Sequence, residues 1–119
     1  MTTDVQIRRA YEAQQSDEGY RVLVDRLWPR GIAKADLTYD LWCKDLAPSA
    51  GLRQWFDHQV EKWPEFSKRY RAELQASEQQ VRIQEIVKAA KGQRITLIYG
   101  AKDREHNQAV VLAAEIKGT

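Results

Sequence analysis

The chain has 119 residues, of which 43% are hydrophobic and 30% charged, a balance that excludes a composition-driven disordered chain, a collagen and a membrane-embedded protein. Its 19 basic and 17 acidic side chains leave a net charge of +2, too even to demand the concentrated positive face of a dedicated duplex-DNA binder. Cys43 is the single cysteine, which rules out an intramolecular disulfide and a Cys-rich zinc site.

At this length one domain over 1–119 is expected. The first nine residues hold no apolar run of the signal-peptide kind, and no segment approaches 18 apolar residues. The sequence therefore predicts a cytoplasmic protein with no membrane partner. No repeat, low-complexity stretch or flexible linker is visible.

Val5, Ile7 and Arg9 alternate with polar neighbours, predicting a short strand over about residues 4–10, followed by a polar loop through Gly19. Tyr20–Val24 is nearly continuous in apolar character, as in a strand covered on both faces. Tyr39–Leu46 reads as a third strand, with a helix as the alternative. After Pro48 the period changes. Leu52, Trp55, Phe56, Val60 and Trp63 follow helical spacing behind a possible Ser49 cap. Pro64 suits the first turn of a second helix carrying Phe66, Tyr70 and Leu74. Ser77 with Gln80 fits a capping box for a third, whose buried face is Ile83, Ile86, Val87 and Ala90 and whose end is Gly92. Ile95–Tyr99 reads as a central strand, and Ala109, Leu112, Ala113 and Ile116 mark one face of a terminal helix.

Strands separated by helical segments predict a small single-domain α/β fold: a mainly parallel sheet of about four strands, with helices over both faces. The connection between the first two strands is short for a helical crossover, so they are expected to pair antiparallel or not at all.

Open parallel sheets bind ligands beyond the carboxyl ends of their strands. Three segments occupy such positions. Asp25-Arg26-Leu27-Trp28-Pro29-Arg30-Gly31 sets one carboxylate and two guanidinium groups in a turn made rigid by Pro29. Arg26 and Arg30 can grip a carboxylate or phosphate through paired N–H donors, or can simply pair with Asp25. Gly100 to Gln108 joins the last strand to the terminal helix, where Lys102, His106 and Asn107 are candidates for an anion site at the helix start; Asp103 as a capping residue is the plainer reading. Ala47-Pro48-Ser49 follows the third predicted strand with Arg53 one turn on; N-capping accounts for Ser49, and no nucleophile elbow is present.

Neither a P-loop nor a dinucleotide-binding glycine pattern occurs, so neither a P-loop NTPase nor a standard dinucleotide-binding domain is supported, and any cofactor is left unknown. With only His58 and His106, no multi-histidine metal centre is expected. His58 is expected at the surface and Cys43 as a small buried hydrophobe rather than a thiolate. Trp42, Trp55, Phe56, Trp63, Phe66 and Tyr70 are assigned to the core or to a dimer seam. Trp28, between two arginines, either stacks on a ligand ring or covers the sheet.

The run Gly19-Tyr-Arg-Val-Leu-Val-Asp-Arg-Leu-Trp-Pro-Arg-Gly31 closely resembles the signature of the YeaO-like family, within domain of unknown function 488. The resemblance continues through Trp42-Cys-Lys-Asp-Leu-Ala-Pro-Ser49, Leu52-Arg53, Glu65-Phe66 with Tyr70 and Glu73-Leu74, Leu97-Ile-Tyr-Gly-Ala-Lys-Asp103 and His106-Asn-Gln-Ala109, covering nearly the whole chain. It implies a small bacterial or archaeal cytosolic α/β protein. It singles out Asp25, Arg26, Pro29, Arg30, Lys44, Ser49, Arg53, Lys102, His106 and Asn107, and it implies no particular reaction. Cys43 is not required by the family.

Three functions follow as expectations. In the first, a small anionic ligand lies between the Asp25–Gly31 turn and the Lys102–Asn107 segment. Arg26, Arg30 and Lys102 neutralise it, Asn107 orients it, and Asp25 or His106 moves a proton if there is a reaction. In the second, the same turn binds nucleic acid together with Lys62, Lys68, Arg69, Arg71 and Arg82. In the third, the aromatic helices pair between subunits of a homo-oligomer.

Overall fold

The computed structural model describes residues 3–118. Among them, four strands form one parallel sheet: β1 (Val5–Arg9), β2 (Tyr20–Leu23), β3 (Leu41–Trp42) and β4 (Ile95–Tyr99), in the order β1-β4-β2-β3. Four helices accompany it: α1 (Ala50–Phe56), α2 (Trp63–Leu74), α3 (Ser77–Ala90) and α4 (Gln108–Lys117). This is the expected single-domain α/β fold with a parallel sheet. No helix among the described residues is long and apolar enough to cross a membrane.

β4 lies at the centre because all five of its side chains are buried, which only a strand covered on both faces tolerates. Its register sets Ile95 beside both Val5 and Tyr20, and Leu97 beside both Ile7 and Val22. Period-2 alternation then sorts the side chains. Ile95, Leu97 and Tyr99 join Val22 and Val24 in the main core with residues of all four helices, whereas Ile98 and Leu23 join Ala10 and Leu37 in a separate small cluster on the other face.

Helices therefore cover one face, not both. The reason is topological: β1→β2→β3 moves across the sheet in one direction, and β3→β4 returns. Right-handed crossovers put the forward connections on one face and the return on the other. The return carries α1, α2 and α3, while the forward connections are loops. Trp28, Ile32 and Leu37 of the second loop roof Leu23 and Ile98. Under the first loop the sheet is polar. Glu18, 1% exposed, lies 3.1 Å from Arg8 Nε and 3.0 Å from Arg21 Nε, and its backbone carbonyl accepts from the Thr96 hydroxyl. The molecule is accordingly flat, 35 × 35 × 21 Å.

One local expectation holds in its second form: β1 and β2 do not pair with each other, and both pair in parallel with β4. Several others are corrected. The third strand shrinks to two residues, and Lys44–Leu46 is a 3-10 turn. The helix expected to run from Ser49 to Trp63 ends at Phe56, where Asp57 and His58 both take left-handed backbone (φ 46° and 55°). This break turns the chain so that Phe56 can stack on Phe66 of α2, with ring centroids 4.3 Å apart; the helical spacing of Val60 and Trp63 is fortuitous. Ser77 does not cap α3. Ala76 holds that position without a side-chain cap, and the Gln80 amide reaches back to the Leu74 carbonyl instead. α4 is capped by Asn107 rather than Asp103.

Candidate functional site

β4 leads into α4 on the helical face, and β2 leads into the loop on the opposite face. Where neighbouring strands send their connections to opposite sides, a crevice opens beyond their carboxyl ends. Here it is a pocket of about 420 Å³ whose walls include Asp25, Gly100 and Gln108.

Asp25 stands two residues past the end of β2 and lies at the junction. Its Oδ2 accepts the Gly100 backbone N–H at 2.8 Å, and its Oδ1 accepts from the Gln108 side-chain amide. Gly100 is required at this point, because a Cβ there would sit 2.7 Å from Asp25 Oδ2. Burial pushes the Asp25 carboxyl up to about 6, outweighing the two donors, which favour the charged form. The two stretches singled out in the sequence thus do meet, through Gly100 and Gln108.

Arg26, Arg30 and Arg53 line the same pocket. Arg53 is anchored by its Nε, which donates to the Pro48 carbonyl at 3.0 Å, leaving its two terminal nitrogens available. Arg26 lies 3.7 Å from Asp45, with both side chains more than half exposed, a pair of little energetic weight. Arg30 is exposed, and its only polar contact among the described residues is through its backbone carbonyl, which accepts from the Tyr11 hydroxyl. Tyr11, Trp28 and His58 line the same pocket.

Trp28 is tied down: its indole N–H donates to the Ile32 carbonyl, and its ring packs edge-on against Tyr39 and Trp42. Of the two roles open to it, covering the sheet is thereby met, and Trp28 is also among the residues that line the pocket.

The remaining candidates lie elsewhere. The Ser49 hydroxyl accepts from Leu52 N–H and donates to Glu73, joining α1 to α2. Asn107 is 2% exposed, its Oδ1 accepts from Ala109 and Val110 N–H, and its Nδ2 donates to the Asp103 carbonyl. It fills the helix start with its own side chain, and it borders only a smaller cavity beside Phe66. His106 Nδ1 lies 2.8 Å from Asp103 Oδ2, and the ring stands edge-on to Trp63. Neither His106 nor Lys102 lines the Asp25 pocket. Backbone N–H donors from Glu105 and the contact with His106 hold the Asp103 carboxyl below its usual range.

Sequence reasoning missed Gly100 and Gln108 as partners of Asp25, and Tyr11 and His58 as pocket walls. A glycine directly after a buried strand was a usable signal. The other three gave none, because only the crossing of chain segments brings them here.

A larger groove of about 690 Å³ runs along β3 and α3, sharing Arg26 and Leu27 with the first pocket. In it Arg26 and Arg82 both approach Asp45, and the Lys44 ammonium lies 4.1 Å from the Trp42 ring centroid. Cys43 lies in this groove, where burial pushes its thiol up, away from thiolate.

Comparison with known proteins matches the chain over residues 4–119 to a family described as the inactive DUF488-N3 subclade. Uncharacterized protein YeaO of Escherichia coli (strain K12) is 44% identical over 110 residues, spanning 92% of this chain and 94% of the relative. Uncharacterized protein Rv3073c of Mycobacterium tuberculosis (strain ATCC 25618 / H37Rv) is 40% identical over 116 residues, spanning 98% and 96%. No solved structure matches. The chain belongs to the YeaO-like DUF488 family, within its inactive DUF488-N3 subclade.

Proposed function

We propose that this protein is a cytoplasmic binding protein that holds a small anionic ligand in the pocket beyond β2 and β4 and does not transform it. The observation that carries this reading is the convergence of Arg26, Arg30 and Arg53 on one pocket whose single lining carboxylate among the described residues is Asp25. Guanidinium forks are the side chains best shaped for phosphate and carboxylate, and a crevice at a switch point is where open sheets hold ligands.

Binding without turnover is supported by the chemistry around the pocket. Both oxygens of Asp25 are engaged by donors of the protein itself, and His106, the other proton-transfer candidate, is turned toward Asp103 and Trp63. The family's description as inactive agrees.

Thermal shift with inorganic phosphate and with phosphorylated metabolites tests the reading. Wild type should melt several degrees higher at ligand concentrations far above the dissociation constant. Arg30→Ala, which removes no internal contact of that side chain, should blunt the rise. Failure of every phosphate compound to raise the melting temperature at millimolar concentration would end the proposal.

A further inference from the structure

Resting on the anion-binding reading, we propose that the ligand is a small amphiphilic phosphate monoester, its phosphate among the arginines of the Asp25 pocket and a hydrocarbon tail of about four carbons in the smaller cavity that adjoins it.

The two spaces share walls and differ in chemistry. Pro48, Arg53, His58, Ala101 and Gln108 line both the pocket of about 420 Å³ and a second cavity of about 100 Å³. Of these two spaces, Arg26 and Arg30 line only the larger, and Phe56, Phe66 and Asn107 only the smaller. What is proper to the smaller cavity is therefore hydrocarbon. Phe56 and Phe66 are 6% and 2% exposed and stack on each other, and the Asn107 side chain is spent on the start of α4 and on the Asp103 carbonyl. Arg53 stands at the boundary, held by its Nε on the Pro48 carbonyl. Its terminal nitrogens can take the head of a ligand whose tail enters the cavity.

Charge selects the head. The three guanidinium groups lining the larger pocket face the single carboxylate of Asp25, and +3 against −1 leaves +2, the complement of a phosphate monoester dianion rather than of a carboxylate. Size and polarity select the tail. An apolar cavity of about 150 Å³ takes benzene, so one of about 100 Å³ holds about four carbons. Each methylene moved from water into such a cavity raises affinity about fourfold. A hydroxyl set against the phenyl groups lacks a partner, so ribose 5-phosphate and inorganic phosphate use the arginines alone.

Titration calorimetry at pH 7.5 and low salt, on the full chain, compares inorganic phosphate, ribose 5-phosphate, pentanoate and the alkyl monophosphates from methyl to hexyl. Affinity should rise about fourfold per carbon from methyl to butyl phosphate and then stop. Butyl phosphate should also bind more tightly than ribose 5-phosphate and than pentanoate, which carries the same tail on a carboxylate. Phe66→Leu, which takes ring volume from a wall of the smaller cavity only, should lengthen the best-bound tail beyond butyl. Butyl phosphate binding no tighter than methyl phosphate, affinity still climbing at hexyl in wild type, or a best length unmoved in folded Phe66→Leu overturns the tail assignment and leaves the anion reading standing. Pentanoate matching butyl phosphate overturns the phosphate head. Absence of binding by every phosphate compound overturns both readings.

Discussion

Asp25→Asn should make this protein more stable at neutral pH. The Asp25 carboxyl ordinarily titrates near 3.8, and burial raises it to about 6. An acid with a raised folded-state value binds its proton more tightly when folded, so the protonated carboxyl stabilises the fold below pH 3.8, and that contribution is lost as pH rises through about 6. Each pH unit of separation corresponds to about 1.4 kcal/mol, so ionising Asp25 costs the folded state about 3 kcal/mol at pH 7.5. Asparagine carries no charge. Its oxygen can accept from Gly100 N–H, and its amide can donate to Gln108 once that side chain rotates. The variant should therefore exceed wild type by about 3 kcal/mol at pH 7.5 and by about 1 kcal/mol at pH 4.5. With an unfolding entropy of about 2.1 cal/mol/K per residue, this is a rise in Tm of about 12 °C at pH 7.5. Urea denaturation at the two pH values measures the difference directly. A gap that does not narrow on acidification, or a variant less stable than wild type at pH 7.5, would refute the assignment of a buried, reluctantly ionised carboxylate.

Gly100→Ala should destabilise by about 1–3 kcal/mol, because the new methyl group meets Asp25 Oδ2 at 2.7 Å with Pro29 Cβ 3.8 Å away; denaturation midpoints equal to wild type would show that the carboxyl moves aside freely. Glu18→Ala leaves Arg21, 4% exposed, without its buried carboxylate and should cost about 3–5 kcal/mol, read as loss of the folded baseline or a large drop in the urea midpoint. Asn107→Ala should cost about 1–2 kcal/mol through loss of the α4 cap, with Asn107→Asp recovering most of it; an unchanged Tm for the alanine variant contradicts the capping role.

Much of the scaffold was legible locally. Ile95–Tyr99 reads as a central strand because five consecutive buried side chains leave no polar alternation, and Pro64 marks the start of α2 because it needs no N–H partner there. Phe66, Tyr70 and Leu74 are buried at their four-residue spacing as expected. The break at Asp57 was not legible: its cause is the stacking of Phe56 on a ring ten residues away, and the local spacing runs straight through it. The site divides in the same way. Asp25, Arg26, Arg30 and Arg53 are marked by residue type and by position after a strand or near a helix start. Gln108, Tyr11 and His58 have no such mark, since they enter the pocket from three other segments.

The amino-acid sequence by itself determined the class of fold, the order of its elements and the first half of the pocket, because strand burial, helix period and turn chemistry act over a few neighbouring residues. Tertiary structure alone decided that the helices share one face, that Asn107 spends its side chain on the start of α4, and that Gly100 and Gln108 rather than Lys102 and His106 meet Asp25. Those outcomes depend on the direction in which each crossover traverses the sheet, a property of the strand order β1-β4-β2-β3 that no short stretch of residues encodes.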